Sequence, residues 1–339
     1  MQVLVTGGAG YLGSVLVPNL LSDGHEVTVL DRFFFGPESL GPASHGDHLH
    51  LVRDDTRWCS GELFQGQDAV VDLAALSNDP AGALDPWKTY EINFLGRSRV
   101  ARLAREAAVR RYVVTSSCSI YGFQPGVLTE EAELRPLTAY ARANVLVEQD
   151  NLRLATDGFS PTALRFATLY GNSPRMRFDL AINGMALGGY QHGKIPVMRD
   201  GSQWRPFLHV RDAARAIQTV LAADPESVKG RVFNAGDSRQ NYQIQALAQV
   251  VAGALSHPPT LEMYGDPDHR SYQVDFDRIH RELGFEASVF PDRAVHELEE
   301  GLRSGAIAPT LQTKTVDWYR HLLSDPAAGA AVALRGSVL

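Results

Sequence analysis

Cysteine is scarce in this sequence: its 339 residues include only Cys59 and Cys118. Two thiols build neither a disulfide framework nor a cysteine-based metal cluster. No apolar run approaches the roughly 18 residues that a membrane-spanning helix needs, and no charged segment precedes an apolar one as in a secretion signal. Long basic runs are also missing and the net charge is −7, which argues against nucleic acid as a partner. We therefore expect a cytoplasmic protein, beginning at or near Met1, with no membrane or nucleic-acid partner.

Histidine is more frequent, with eleven residues, and His45, His48 and His50 share one polar loop. A metal site there needs further ligands, which the sequence does not point to. We therefore predict no metal centre.

The first fourteen residues are the most informative stretch. An apolar run, Val3 to Val5, predicts a buried strand, and Gly7, Gly10 and Gly13 follow it at a spacing of three. In a dinucleotide-binding turn, the first glycine permits the tight strand-to-helix turn and the second admits a pyrophosphate to the backbone. The third lets the helix pack closely on the strand. Free N–H groups at the start of that helix then bind the phosphates.

The residues that follow supply the context that this motif needs. Helical spacing predicts a helix from Tyr11 to Leu21, and a second apolar run ends in Asp31, 18 residues after Gly13. A carboxylate at that place binds the ribose hydroxyls of a dinucleotide. The stretch therefore predicts a dinucleotide-binding fold, and an ordinary turn of an α/β protein is the alternative.

Strands and helices alternate along the first half of the chain. Apolar runs predict further strands over 49–52, 69–75, 112–115 and 162–167, and helical spacing predicts helices over 87–108 and 138–155. This rhythm is typical of an α/β fold with a Rossmann-type, doubly wound parallel sheet.

Beyond Gly171 the predicted strands shorten, and helices near 211–223, 243–255 and 294–303 indicate a smaller α/β lobe. We predict a dinucleotide-binding domain over residues 1–170, to which some later segments return. A substrate-binding lobe over 171–325 and a mobile tail over 326–339, rich in small residues, complete the chain.

Three polar residues are expected to meet at one crevice, because the carboxyl ends of parallel strands share one edge of the sheet. Ser117 ends the predicted fifth strand, and Tyr140 and Asn144 lie one turn apart on the same face of a helix. They are candidates for chemistry on a substrate oxygen. The structural alternative is a capping serine, a half-buried tyrosine and a solvated asparagine.

Six runs of residues carry a family resemblance, in the family's order over residues 1 to 325. They are Thr6-Gly-Gly-Ala-Gly-Tyr-Leu-Gly13, Leu73-Ala-Ala75, Ile92-Asn93 followed by Gly96, Ser116-Ser-Cys-Ser-Ile-Tyr-Gly122, Arg205-Pro-Phe-Leu-His-Val-Arg-Asp212 and Asp268-His-Arg-Ser-Tyr272. With them the sequence resembles the extended short-chain dehydrogenase/reductase family, in particular its nucleotide-sugar epimerase/dehydratase branch.

The resemblance implies a set of residues around NAD(H) or NADP(H): Gly7, Gly10, Tyr11, Leu12, Gly13, Asp31, Arg32, Asp54, Leu73, Ala74, Ala75 and Asn93. It also implies that Ser117 and Tyr140 contact the oxygen at the reacting sugar carbon. A third set is assigned to the substrate: Ser77 near the sugar, Arg205 and Arg270 on the nucleotide diphosphate, and Arg177 on either group, with a structural role for Arg177 as the alternative.

The sequence departs from the family at Asn144. There the family carries a lysine, which lowers the pKa of the catalytic tyrosine and binds the nicotinamide ribose. Asn144 can still bond a ribose hydroxyl but brings no charge, and Arg142 points to a different face of the helix. Three interpretations stay open: an impaired relative, an enzyme with another base, and an enzyme helped by the positive charge of oxidised nicotinamide.

A second departure concerns the residue two positions after the catalytic serine. Dehydratases and decarboxylases of this branch carry a glutamate there, whereas this chain has Ser119, preceded by Cys118. We interpret Cys118 as a small buried residue, with a reactive thiol as the alternative. The chemistry that remains is 4-epimerisation or carbonyl reduction.

These observations predict an NAD-dependent enzyme acting on a nucleotide sugar, either an epimerase that transiently oxidises C4 or a ketoreductase. Asp31 favours NAD because a carboxylate repels a 2′-phosphate, although Arg32 leaves NADP open. A catalytically silent dinucleotide-binding relative and a tailoring enzyme for another carbonyl or alcohol are the alternatives. The resemblance also implies a homodimer, paired through the helices that begin near Trp87 and Thr138.

Overall fold

The computed structural model describes residues 1–45, 47–266 and 270–339, so that Asp268 and His269 of the last family motif lie outside the described residues. Its strands are β1 Gln2–Thr6, β2 Glu26–Asp31, β3 Leu49–Arg53, β4 Ala69–Asp72, β5 Arg111–Ser117, β6 Phe123–Leu128, β7 Ser160–Phe166, β8 Thr168–Tyr170, β9 Lys194–Met198, β10 Trp204–His209, β11 Arg231–Ala235, β12 Asn241–Gln243, β13 Thr260–Tyr264 and β14 Ser271–Val274.

The helices are α1 Gly13–Ser22, α2 Asp79–Gly82, α3 Pro86–Tyr90, α4 Arg97–Glu106, α5 Ala139–Leu152, α6 Ala181–His192, α7 Val210–Ala222, α8 Pro225–Val228, α9 Ile244–Ala254, α10 Asp277–Leu283, α11 Pro291–Ser304, α12 Thr315–Ser324 and α13 Pro326–Val332. None of those in the described ranges is long and apolar enough to cross a bilayer.

Seven parallel strands form the central sheet, in the order β3-β2-β1-β4-β5-β7-β11. Every residue of β4 and β7 is buried, as expected for inner strands covered by helices on both faces. The predicted α/β fold with a Rossmann-type sheet is therefore confirmed.

Smaller sheets follow in the second half of the chain. Strand β10 pairs with β8 and β12, β9 pairs with β13, and β6 pairs with β14. Some of the buried apolar side chains between Tyr170 and Leu298 form a core of their own, whereas others in this range, including those of α7, β11, β14 and α10, pack into the core of the large sheet. The division into a domain over 1–170 and a lobe over 171–325 stays a proposal that this packing supports.

Two segments differ from the predictions. The helix expected over 87–108 is interrupted, because a π-helical turn, Glu91–Gly96, separates α3 from α4. The tail expected to be mobile instead forms α13 and packs on the protein, where Leu339 is 4% exposed. Asp325 starts this helix by accepting hydrogen bonds from the N–H groups of Ala327 and Ala328.

Candidate active site

One cavity of about 710 Å³ runs along the carboxyl ends of the sheet strands. Ligands of open parallel sheets bind at this edge. All of the predicted site residues except Asn93 line it: Gly7, Gly10, Tyr11, Leu12, Gly13, Asp31, Arg32, Asp54, Leu73, Ala74, Ala75, Ser77, Ser117, Tyr140, Asn144, Arg177, Arg205 and Arg270.

Asn93 lies beneath the cavity wall and is fully buried. Its Nδ2 donates to the carbonyl oxygen of Leu76 at 3.0 Å, and its Oδ1 accepts from the N–H of Leu76 at 2.8 Å. These hydrogen bonds make Asn93 a support for the loop after β4, and its contact with a dinucleotide stays a prediction.

The glycine turn after β1 leaves no room for side chains. Gly7 has a φ of +69°, and a Cβ atom there would lie 2.8 Å from the backbone nitrogen of Ala74. A Cβ atom on Gly13 would lie 2.5 Å from the carbonyl oxygen of Gly8. Only glycine therefore lets this turn approach both a neighbouring strand end and the start of α1.

Asp31 stands at the end of β2, beside this turn. Its Oδ2 accepts a hydrogen bond from the N–H of Ala9 at 2.9 Å, and its Oδ1 accepts one from the N–H of Phe33 at 2.7 Å. Burial raises the pKa of the Asp31 carboxyl, against the lowering effect of those hydrogen bonds. The carboxylate is thereby held in one orientation at the wall of the cavity.

Arg32 is held by other parts of the protein. Its Nη1 donates to Oδ2 of Asp55 at 2.7 Å, and its Nη2 donates to the carbonyl oxygens of Val332, Ser337 and Val338, each at 3.0 Å. The C-terminal segment thus completes the wall near Asp31, a contribution that the sequence does not reveal.

The three candidate catalytic residues line one end of the cavity. Ser117 ends β5, and its Oγ accepts a hydrogen bond from the N–H of Ser119 at 3.1 Å. Tyr140 and Asn144 lie on the first turns of α5, which begins where Oγ1 of Thr138 accepts a hydrogen bond from the N–H of Ala141. The fold thus brings the strand end and the helix face together, as the spacing predicts.

The hydroxyl of Tyr140 has a pKa above the ordinary value for tyrosine. Burial contributes most to this increase, and the negative charge of Asp79 adds to it. Polar interaction with Asn144, the charge of Arg97 and polar interaction with Ser117 oppose it, in that order of size. A base at this position therefore depends on its neighbours for ionisation.

Asn144 is 1% exposed, and its Nδ2 has no hydrogen-bond partner among the described residues. A buried donor of this kind is costly unless a ligand or water satisfies it. Because Asn144 lines the cavity, this donor is available to a ligand bound there.

Arg97 is a cavity residue that the sequence analysis missed. It is the first residue of α4 and is 1% exposed. It lies on the buried face of that helix with Val100, Ala101 and Ala104. A charged residue on an otherwise apolar helix face is the sequence feature that could have indicated a buried functional arginine.

Arg177, which also lines the cavity, links the predicted sugar-site residue Ser77 to Asp179. Its Nη1 donates to Oγ of Ser77 at 3.2 Å, and its Nη2 donates to Oδ2 of Asp179 at 2.7 Å. Asn78 donates to the same Asp179 oxygen at 3.1 Å. This network holds the Ser77 loop in place.

Arg205 and Arg270 both line the cavity and contact each other. Nη1 of Arg205 donates to the carbonyl oxygens of Trp204, at 2.7 Å, and of Arg270. Nη1 of Arg270 forms an ion pair with Asp79. Two guanidinium groups on one wall suit a diphosphate, whose oxygens accept paired hydrogen bonds.

Arg175 carries unused donors near the glycine turn. It is 6% exposed, its backbone N–H donates to Oγ of Ser14, and its guanidinium carbon lies 3.5 Å from the ring centroid of Phe35. Burial, together with the charge of neighbouring Arg177, lowers its pKa to about 10. Its Nε and Nη1 have no partner among the described residues, as expected for a group that binds an anion.

The two residues after Ser117 bring no carboxylate to this end of the cavity. Cys118 is buried, its thiol donates to the carbonyl oxygen of Arg165 at 3.2 Å, and burial raises its pKa. A thiol in this state is inert, in agreement with a small core residue. The Oγ of Ser119 is buried and has no partner within the described residues.

The described residues offer no metal centre, since no three of their histidine, cysteine, aspartate or glutamate side chains are grouped as metal ligands would be. Of the three histidines predicted to share one polar loop, His50 instead lies in strand β3, where its Nε2 is 3.0 Å from Oε1 of Glu26, and the side chain of His45 is outside the described part.

The sequence matches the model of the NAD dependent epimerase/dehydratase family over residues 3–236. Among similar proteins, the dTDP-glucose 4,6-dehydratase of Streptomyces griseus is 30% identical over 331 residues, covering 94% of each chain. The UDP-glucose 4-epimerase of Mycolicibacterium smegmatis is 30% identical over 336 residues, covering 95% of this chain and 99% of that protein.

The fold is similar to solved structures. That of MoeE5 in complex with UDP-glucuronic acid and NAD has a TM-score of 0.79 at 27% identity, covering 90% of this chain and all of that one. That of DesIV, a dTDP-glucose 4,6-dehydratase from Streptomyces venezuelae with NAD bound, has a TM-score of 0.78 at 26% identity, covering 90% and 97% of the two chains.

Proposed function

We propose that this chain, which belongs to the NAD dependent epimerase/dehydratase family, catalyses 4-epimerisation of a nucleotide sugar. The family's cofactor is NAD, and its similar members act on UDP- and dTDP-sugars by their names. The observation that carries the proposal is the cavity end formed by Ser117, Tyr140 and Asn144, where Ser119 stands in place of a carboxylate.

The residues at the glycine turn fit the dinucleotide. The turn has no space for side chains, Arg175 has two buried donors without partners, and the amide of Asn144 has one. We assign the pyrophosphate to the turn and Arg175, the adenosine ribose to Asp31, and the nicotinamide ribose to Asn144. Bound NAD supplies a hydride acceptor and, in the return step, a hydride donor.

Tyr140 serves in this proposal as the base. Its phenolate takes the proton of the sugar C4 hydroxyl as that carbon is oxidised, and returns the proton when the carbon is reduced on the other face. Ser117 donates a hydrogen bond to the same oxygen and keeps it beside Tyr140. One proton leaves and one returns, so the net reaction inverts C4 only.

The substrate arginines hold the other end of the molecule. Arg205 and Arg270 bind the diphosphate, and the Ser77 to Arg177 network faces the sugar. Binding energy from the nucleotide then fixes the sugar ring near Tyr140, while leaving the keto intermediate free to turn.

The acids of the cavity favour epimerisation over dehydration. The described cavity residues include five acids, Asp31, Asp54, Asp55, Asp79 and Asp179, each of which accepts hydrogen bonds from the protein. Asp79, whose charge acts on Tyr140, has one oxygen bound to Thr138 and the other to Arg270. Elimination at C5 and C6 requires a free acid and base pair, which this arrangement does not provide.

The test is incubation of the purified protein with NAD in deuterated buffer and one of UDP-glucose, dTDP-glucose and UDP-glucuronic acid, followed by proton NMR of the sugar. A 4-epimerase gives the C4-inverted sugar without deuterium on carbon. A dehydratase gives a deoxy-keto sugar labelled from solvent, and this result would refute the proposal.

Other outcomes identify the remaining alternatives. Oxidation of NADH with a 4-keto nucleotide sugar, without epimerisation, would indicate a ketoreductase. Binding of NAD and nucleotide sugar with no turnover would indicate a silent relative. Turnover of a carbonyl or alcohol that lacks a nucleotide would indicate a tailoring enzyme.

A further inference from the structure

The absence of a lysine at position 144 leaves Tyr140 without a cation on its own helix face, and a neighbouring helix brings one to the same cavity. Arg97, at the start of α4, lines the cavity together with Ser117, Tyr140 and Asn144. It is buried at 1% exposure, and the same chain segment holds Asn93 one turn earlier. The cavity thus combines a neutral residue at position 144 with a buried arginine from another helix.

The position of the Arg97 guanidinium is defined by hydrogen bonds. Its Nε donates to Oδ2 of Asp72 at 3.1 Å, and its Nη2 donates to the carbonyl oxygens of Asp72 at 2.8 Å and Thr115 at 2.7 Å. Asp72 is the last residue of β4, and Thr115 lies near the end of β5, two residues before Ser117. Its Nη1 makes no hydrogen bond to the residues that the structure describes. The cation is thus held at the carboxyl end of β5, the strand that ends at Ser117.

We propose that Arg97 supplies the positive charge that stabilises the Tyr140 phenolate, the role that the family resemblance gives to a lysine at position 144. This inference rests on the proposed function of Tyr140 as the base. Arg97 is a positioning residue in this sense, because it acts on the substrate only through Tyr140.

The charges around Tyr140 come from several elements. Asp79 on α2 raises the pKa of Tyr140, and Arg270 is the ion-pair partner of Asp79. Arg97 on α4 lowers that pKa, as do the polar side chains of Asn144 and Ser117. Buried charges interact strongly because little water screens them.

Asp72 partly offsets the charge of Arg97 but does not remove its effect on the cavity. The Asp72 carboxylate also accepts hydrogen bonds from the hydroxyls of Thr6, at 2.6 Å, and Tyr112, at 2.7 Å. Arg97 lines the cavity and Asp72 does not, so the cation is the nearer of the two charges to the cavity.

The experiment compares Asp72→Asn with the double variant Asp72→Asn/Arg97→Met. Neither variant leaves the Asp72 carboxylate unpaired, and the two differ only in the cation, which in Asp72→Asn keeps its hydrogen bonds to the backbone carbonyls of residue 72 and Thr115 but has no carboxylate partner. Ligand-free protein with ¹³Cζ-labelled tyrosine is titrated by NMR, and the Tyr140 signal is assigned with Tyr140→Phe. Relative to Asp72→Asn, we expect the double variant to raise the Tyr140 pKa by about one unit or more, a roughly tenfold loss of phenolate near neutral pH.

Two further variants complete the design. Adding Asn144→Lys to the double variant should return the Tyr140 pKa toward its starting value, because it restores a cation at the family position. The control is Glu148→Gln/Arg165→Met, which removes a buried ion pair with a 2.8 Å contact between α5, the helix of Tyr140, and strand β7; neither residue lines the cavity. That control should leave the Tyr140 pKa unchanged.

An equal Tyr140 pKa in folded Asp72→Asn and Asp72→Asn/Arg97→Met, judged by circular dichroism, would overturn the inference. If the methionine variant does not fold, Arg97→Gln in the same background replaces it, since its amide can still donate to the Thr115 carbonyl. The titration needs no substrate. A shifted pKa without sugar-nucleotide turnover would therefore refute the proposed function alone, and epimerase activity with an unshifted pKa would refute the role of Arg97 alone.

Discussion

Arg32 and Asp55 form a buried ion pair with a 2.7 Å contact at the edge of the dinucleotide cavity. The same guanidinium donates hydrogen bonds to the carbonyl oxygens of Val332, Ser337 and Val338. An arginine next to the acidic residue of a dinucleotide fold can accommodate the 2′-phosphate of NADP. Here both of its terminal nitrogens, Nη1 and Nη2, already donate to protein acceptors, which favours Asp31 as the residue that defines a preference for NAD.

The first prediction concerns this preference. In Asp55→Asn, loss of the carboxylate charge releases Nη1 of Arg32 and also the guanidinium of Arg57, which pairs with the same carboxylate, and we expect NADP affinity to rise by about tenfold, or about 1.4 kcal/mol, while NAD affinity changes little. Titration with each dinucleotide measures both. The control Asp237→Asn removes a charge from the surface pair with Arg239 and should change neither. An unaltered NADP affinity would show that Arg32 does not set the preference.

The second prediction concerns the base. Tyr140→Phe removes the ionisable hydroxyl, and we expect turnover to fall by about 10² to 10⁴ while the dissociation constant of the nucleotide sugar stays similar. Steady-state kinetics and equilibrium titration separate the two quantities. Tyr190→Phe, at a residue that is 41% exposed, is the matched control. Unchanged turnover in Tyr140→Phe would mean that another group is the base.

The third prediction concerns pH. Asp79 raises the pKa of Tyr140, so Asp79→Asn should lower it and shift the rising limb of kcat/KM to lower pH. An asparagine side chain can still accept the hydrogen bond from Thr138, which keeps the start of α5 intact. The pH profile of kcat/KM is the measurement. A shift to higher pH would contradict the assigned direction.

The fourth prediction concerns the diphosphate. We expect Arg205→Ala and Arg270→Ala each to weaken UDP or dTDP binding by about tenfold or more, since a charge-assisted hydrogen bond contributes about 1.5 to 3 kcal/mol. NAD binding should remain. Calorimetric titration with UDP, dTDP and NAD tests this, with Arg239→Ala on the surface as the control. If neither substitution changes the affinity for UDP or dTDP, the assignment of a nucleotide-sugar substrate is wrong.

The fifth prediction concerns assembly. Trp87 is 81% exposed, Leu95 56% and Leu146 37%, on the segments that the family resemblance assigns to a homodimer interface. Burial of such side chains against a second copy would stabilise a pair of chains. We expect a dimer mass by light scattering at micromolar concentration and a monomer for Leu95→Glu. The exposed Leu323→Glu, at 52%, is the control. A monomeric starting protein would end this hypothesis.

Local patterns in the sequence determined the central sheet and much of the site. The glycine turn, Asp31 at the end of β2, and Tyr140 with Asn144 on one helix face follow from spacing, because strand and helix geometry repeat over a few residues. The sequence also located the departure at residue 144. These features depend on neighbours along the chain, and the structure brings them to one cavity.

Tertiary structure alone decided the partners of the charged residues. In the sequence, Arg97 is one of several arginines in its helix. Its partners at the ends of β4 and β5 are defined only by the packing of α4. Asn93 resembles a cofactor contact, yet a π-helical turn places it under the Leu76 loop. Arg32 meets carbonyl oxygens about 300 residues further along the chain. Such contacts join distant segments, and no short-range periodicity encodes them, because which buried charge meets which partner is settled only when whole elements pack.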